Sequence, residues 1–135
     1  MQELEFVNWL GVFLAALSAF VLGGLWYAPF LFGKPWLKAT KLTDAELNTG
    51  SKALTFGGSF ILALVAAFVF ALFIGPQPGI PFAVGAGFGA GLFWVATSFG
   101  INYLFEKKSL VLFFINGGYH TVQFTLYGLI LGALQ

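Results

Sequence analysis

The chain has 135 residues, 59% of them hydrophobic and 8% charged, with a formal net charge of +1. A soluble domain carries about 25% charged residues, so an ordinary water-facing surface is excluded, and so is the basic patch that nucleic acid requires. Cysteine is absent and histidine occurs once, which excludes disulfides, a Cys–His pair and a zinc cluster; no metal and no cofactor are expected.

The first residues, Met1-Gln2-Glu3-Leu4-Glu5, are acidic where a signal peptide needs a cationic start, so the first apolar run is expected to stay as a helix. Apolar runs occupy about 6–32, 53–74, 81–105 and 110–134, and none contains Asp, Glu, Lys or Arg. Each reaches the roughly 20 residues that cross a hydrocarbon core of about 30 Å, and none has the charged outer face of a soluble bundle helix. The expected fold class is all-α: an integral membrane four-helix bundle, one transmembrane domain over residues 1–135, with a cytoplasmic loop at 33–52.

In lipid, helices associate through small residues that let backbones approach. The first run carries Gly11, Ala15, Ala19 and Gly23 at four-residue spacing, and the second carries Ser59, Ala63, Ala67, Ala71 and Gly75. Between them lie Lys34, Lys38, Lys41 and Lys52, with Trp36 and Leu37 suited to a membrane interface. Thr43 and Glu46 have the spacing of a capping box and predict a short helix there. After the turn at 75–79, the third run offers Gly87 and Gly91 on one face with Trp94, Ser98 and Asn102, and Lys107 and Lys108 follow it.

The fourth run is the most informative. Asn116, His120, Gln123 and Tyr127 are spaced four, three and four residues apart, which at ~100° per residue places them within a sector of roughly 60°. Gly118, Thr121, Thr125, Gly128 and Gly132 fall on the opposite side. The helix is thus predicted to have a packing face and a hydrogen-bonding face, with His120 near the bilayer midplane. Ser98 and Asn102 are candidate partners for the polar face, Asn102 meeting Asn116 across the short turn at 106–109. The stripe can be interhelical glue, or it can line a cavity in which His120, with an unperturbed pKa of ~6.5, relays a proton or senses pH.

All six cations lie in the two connections that share one side of a four-span chain. The positive-inside rule then places both Lys-bearing connections in the cytoplasm and both termini outside. The segments 30–34 and 103–107 end the first and third runs alike, and Gly57-Gly58 and Gly117-Gly118 open the second and fourth. This is a weak parallel 2+2 repeat about an axis along the membrane normal.

The stretch Gly24-Leu25-Trp26-Tyr27-Ala28-Pro29-Phe30-Leu31-Phe32-Gly33-Lys34-Pro35-Trp36 resembles the bacterial four-span family catalogued as domain of unknown function 1761. The segments Asn102-Tyr103-Leu104-Phe105-Glu106 and Asn116-Gly117-Gly118-Tyr119 are similar to its second half. The resemblance spans nearly the whole chain and implies a fold, a topology and a bacterial cytoplasmic membrane, but no activity and no catalytic residues. Read physically, Pro29 lacks an amide hydrogen and predicts a kink or stop near the end of the first helix. Trp26, Tyr27 and Trp36 are an aromatic anchor at the inner interface, or the walls of a pocket for a lipid or small apolar ligand.

Every carboxylate (Glu3, Glu5, Asp44, Glu46 and Glu106) lies outside the apolar runs, which argues against a proton-coupled exporter built on a buried acid. A Ser–His dyad from Ser59 or Ser98 with His120 would lack an orienting acid, so an enzyme is weakly supported. Two roles are expected to compete. One is binding or transport of a small solute or lipid along the stripe. The other is a structural or accessory subunit without a ligand. The expected partners are the lipid bilayer, further copies of the same chain, and a lipid or small molecule.

Overall fold

The computed structural model describes residues 4–135; the acidic start at Met1, Gln2 and Glu3 lies outside the described residues. The described chain is helical throughout, with short connections. Helix α1 (Trp9–Trp26) starts where the Asn8 side chain accepts the Gly11 amide at 2.7 Å, an N-cap that satisfies one orphan donor. The first apolar run is longer than this helix. It turns after Trp26 and enters α2 (Gly33–Thr40), so the segment expected as plain loop carries a helix of its own.

Pro29 lies inside that turn and kinks no helix. The Phe32 amide donates to the Trp26 carbonyl and the Gly33 amide to the Ala28 carbonyl, both at 3.0 Å. A Cβ at Gly33 would run into the carbonyls of Tyr27 and Ala28, so the reversal needs glycine there. Helix α3 (Asp44–Leu47) is capped by Thr43, whose Oγ accepts the Glu46 amide at 3.2 Å. The Thr43 hydroxyl also donates to the Glu46 carboxylate. Only half of the expected box forms in its reciprocal sense, because the carboxylate meets the hydroxyl and not the Thr43 amide.

Helix α4 (Lys52–Ile74) is capped by Ser51 and ends at Gly75, where φ is 73°. Helix α5 (Ile80–Gly89), a π-helical segment at Ala90–Ala96 and α6 (Thr97–Phe105) follow as one continuous rod. Helix α7 (Leu110–Leu134) is capped by Ser109. Three stretches are long and apolar enough to cross a membrane: Trp9–Trp26, Lys52–Ile74 and Ile80–Phe105. Helix α7 has the length, at 25 residues, but its sequence is interrupted by Asn116, His120 and Gln123.

Helix α7 is the centre of the packing, with the rod on one side and α1 on another. The rod approaches closely because Gly87 and Gly91 carry no side chain. A Cβ at Gly87 would strike the Phe124 carbonyl, and one at Gly91 would sit 2.7 Å from the His120 carbonyl. Reciprocally, a Cβ at Gly128 would strike the Ala83 carbonyl and one at Gly132 would lie 2.8 Å from the Ala83 Cβ. Helix α4 packs on α1 through Trp9 stacked on Phe68, and through Phe60 set edge-on against Phe13 and Phe20. Ala15, Ala19, Ala63, Ala67 and Ala71 are all buried in the core.

The ends of the molecule are tied separately. The Asn8 side chain donates to the Leu134 carbonyl at 3.0 Å, and Gln135 Nε2 donates to the carbonyls of Ala71 and Gly75, both at 2.8 Å. The start of α1 and the ends of α4 and α7 therefore meet. Lys34, Lys38, Lys41, Lys52, Lys107 and Lys108 all belong to the opposite end.

Candidate functional site

The reversal after α1 carries two aromatic donors onto α7. Trp26 Nε1 donates to the Ile115 carbonyl at 2.9 Å, and Gly118 makes room, since a Cβ there would lie 3.0 Å from the indole edge. The Tyr27 hydroxyl donates to Asn116 Oδ1 at 2.6 Å, and Asn116 Nδ2 donates to the Tyr103 hydroxyl at 2.8 Å. Trp36 of α2 packs edge-on against Tyr27 with ring centroids 5.8 Å apart. One amide side chain thus bridges the end of α1, α6 and α7. A polar group withdrawn from solvent needs partners, and Asn116 has one on each side.

A second chain of contacts runs along α7. His120 Nδ1 lies 2.6 Å from Gln123 Oε1, Gln123 Nε2 donates to the Tyr127 hydroxyl at 2.8 Å, and that hydroxyl donates to the Ala63 carbonyl of α4 at 3.3 Å. Gln123 and Tyr127 are buried. The imidazole is half-buried and lies flat on Phe99 of α6, with centroids 4.9 Å apart and planes 11° from parallel. The neighbouring Tyr119 turns the other way and donates to the Ala19 carbonyl of α1 at 2.9 Å. Among the described residues, every sealed side-chain nitrogen or oxygen has a hydrogen-bond partner.

Asn116, His120, Gln123 and Tyr127 therefore share one face, and Trp26, Tyr27 and Trp36 join that face at its Lys end. Ser98 and Asn102 do not reach it. Ser98 is exposed and donates back to the Trp94 carbonyl of its own helix. Asn102 is exposed, and the partner of Asn116 is Tyr103. The cause is the π-helical segment. In an unbroken α-helix, at ~100° per residue, Asn102 would lie within roughly 20° of Gly91. One extra residue in the turn swings Asn102 away by roughly 80° and brings Tyr103 to within roughly 20°. Ala96, Phe99 and Tyr103 then face α7, while Trp94 is exposed.

Tyr103, Phe99 and Tyr119 escaped the sequence reading. Tyr103 and Tyr119 stand inside the two short segments that carry the family resemblance, so a signal existed for them. Nothing in 90–96 announces a π-helical turn, so Phe99 had none. Among the described residues, no three His, Asp or Glu side chains gather as metal ligands. Two apolar grooves mark the outer surface, one between α1 and α7 beside Leu17 and Ile130, the other beside Phe73, Phe82 and Phe93. Neither includes a residue of the α7 stripe.

An all-helical chain with three membrane-length apolar helices, wrapped round a fourth helix that carries the polar side chains, defines a small membrane protein with an internal hydrogen-bonded spine. The chain belongs to the family described as "Protein of unknown function (DUF1761)", whose model matches residues 10–132. No curated protein and no solved structure matches it.

Proposed function

We propose that this protein is a structural or accessory component of a bacterial cytoplasmic membrane, crossing it four times, and that the polar face of α7 serves to lock its helices together. The observation that carries this reading is the bridge from Tyr27 through Asn116 to Tyr103. A side chain that could have met a solute is engaged on both its oxygen and its nitrogen by neighbouring helices. Trp26 on Ile115, Tyr119 on Ala19 and Tyr127 on Ala63 add three more ties between helices. Interhelical bonds of this kind contribute about 0.6 kcal/mol on average and at most about 1.7, so several together are worth a large fraction of a small protein's stability.

In this reading α7 is the fourth span, with its Asn116, Gln123 and Tyr127 side chains satisfied by neighbours as the bilayer interior demands. The Lys-bearing end faces the cytoplasm and the termini face outside, in keeping with the positive-inside rule. Gly85 and Gly89, with open space around their α-carbons, leave room for another helix to approach closely, and a second copy of the chain or an accessory partner would sit there. The test is substitution of Asn116 by Leu. A locking role requires that assembly and thermal stability fall; unchanged stability together with a lost binding or transport activity would replace this reading with a ligand site.

A further inference from the structure

Hydrogen-bond polarity along α7 fixes a state that distances alone leave open. The Ala63 carbonyl can only accept, so the Tyr127 hydroxyl points its single proton there. The Tyr127 oxygen then accepts from Gln123 Nε2, which turns the Gln123 carbonyl oxygen toward His120. An acceptor oxygen 2.6 Å from Nδ1 requires the proton on Nδ1. With the bonds in this direction, neutral His120 is the Nδ1–H tautomer and its lone pair lies on Nε2. That nitrogen accepts no hydrogen bond from the described residues, yet it is not sealed from the surface.

The other network ends in the same way with the opposite sign. The Tyr103 oxygen accepts from Asn116, and its own proton has no acceptor among the described residues. Phe99 packs against both rings that carry an open valence, 4.9 Å from the His120 ring and 5.7 Å from the Tyr103 ring, centroid to centroid. Helix α4 covers Tyr127 through Ala63 but leaves its own first turns unpacked. Nothing lies within 4 Å of a Cβ built at Gly57 or Gly58, and Phe56 is exposed.

We propose that the open His120 Nε2 and the free Tyr103 O–H, on the two rings that pack against Phe99, form a binding position for a neutral, lipid-soluble molecule carrying a hydroxyl. The hydroxyl donates to His120 Nε2, and the Tyr103 O–H donates to an oxygen of the same molecule. An anion would meet the Nε2 lone pair, and a cation would find no carboxylate, since Asp44, Glu46 and Glu106 lie in connections. A neutral donor is what remains. The position is separate from the helix lock, because Asn116, Gln123 and Tyr127 are already engaged and only the ends of their chains are open.

The single histidine makes the test direct: 15N-histidine protein in phosphatidylcholine nanodiscs gives one imidazole. The ligand-free protein is expected to carry its proton on Nδ1. Titration with dioleoylglycerol, and separately with a decyl-substituted hydroquinone under reducing conditions, is expected to move the Nε2 resonance saturably with at least one of them. The methyl ethers of both should leave it unmoved. A response to the glycerol alone assigns an aliphatic lipid alcohol, and a response to the hydroquinone alone assigns a phenol. A proton on Nε2 at the outset, no response to either alcohol, or an equal response to the ethers overturns the proposal. His120→Phe keeps the stacked ring and removes the acceptor, and it should weaken binding of the active alcohol roughly tenfold; Tyr103→Phe should weaken it to a smaller extent. Binding unchanged in both variants, with the fold intact, also overturns it.

Discussion

The Tyr27 hydroxyl and the Asn116 side chain, 89 residues apart in sequence, meet at 2.6 Å. Tyr27 belongs to the long stretch at 24–36 that makes the chain resemble its family and Asn116 to the segment at 116–119, so those two segments are two halves of one contact. The aromatic stretch after α1 is more than an anchor at the interface. Its reversal at Pro29 and Gly33 sets Trp26 and Tyr27 against the first turns of α7, and Trp36 closes over Tyr27.

That contact predicts coupling between the two positions. Tyr27→Phe and Asn116→Leu should each destabilise the protein in micelles, the first by about 0.6–1.7 kcal/mol and the second by more, because it also strips Tyr103 of its donor. In a double-mutant cycle the costs should fall short of additive. Additive costs would mean that the bond contributes nothing.

The glycines of the rod sort into two groups. Gly87→Ala and Gly91→Ala should separate the rod from α7 and destabilise by about 1–3 kcal/mol or more, since each new methyl would meet a backbone atom of α7. Gly85→Ala and Gly89→Ala should be neutral or slightly stabilising in the monomer, because nothing lies within 4 Å and alanine favours helix. Thermal unfolding of the four variants distinguishes the groups. Equal loss in all four would contradict the register described above.

The π-helical segment makes a prediction of its own. Deleting the exposed Trp94 removes the one residue that the turn has in excess, and the rod should relax to a regular α-helix with Phe99 and Tyr103 still facing α7. The variant should keep the Asn116–Tyr103 contact and remain folded. Deleting Val122 from α7, which has no such excess, should abolish folding. A crosslink between cysteines placed at 103 and 116 reads both outcomes, and its loss on deleting Trp94 would refute the register argument.

Because the chain has no cysteine, single introduced thiols report access to water or polar reagents without background. Cysteine at 123 or 127 should stay unlabelled in intact membranes, since both side chains are buried. Cysteine at 120 should label slowly, since that position is only half-buried. Rapid and equal labelling at all three positions would indicate a continuous aqueous path along α7.

By itself the sequence determined the four long apolar segments, the short helix capped by Thr43, the gathering of all six lysines in two connections and the one polar face of α7. These properties follow from local rules: apolar length, a Thr cap, and a 3.6-residue period that needs no partner to be read. The tertiary structure alone decided the partners. Tyr103 takes the place expected of Asn102, and Ser98 turns back on its own helix, because one additional residue in the turn at Ala90–Ala96 rotates everything after it. Close glycine contact between the rod and α7 sets the faces that must meet on either side of that turn, and no local pattern records the extra residue. The chain of contacts from His120 through Gln123 and Tyr127 to Ala63 was likewise invisible in the sequence, since its last partner is a backbone carbonyl 57 residues away from the imidazole.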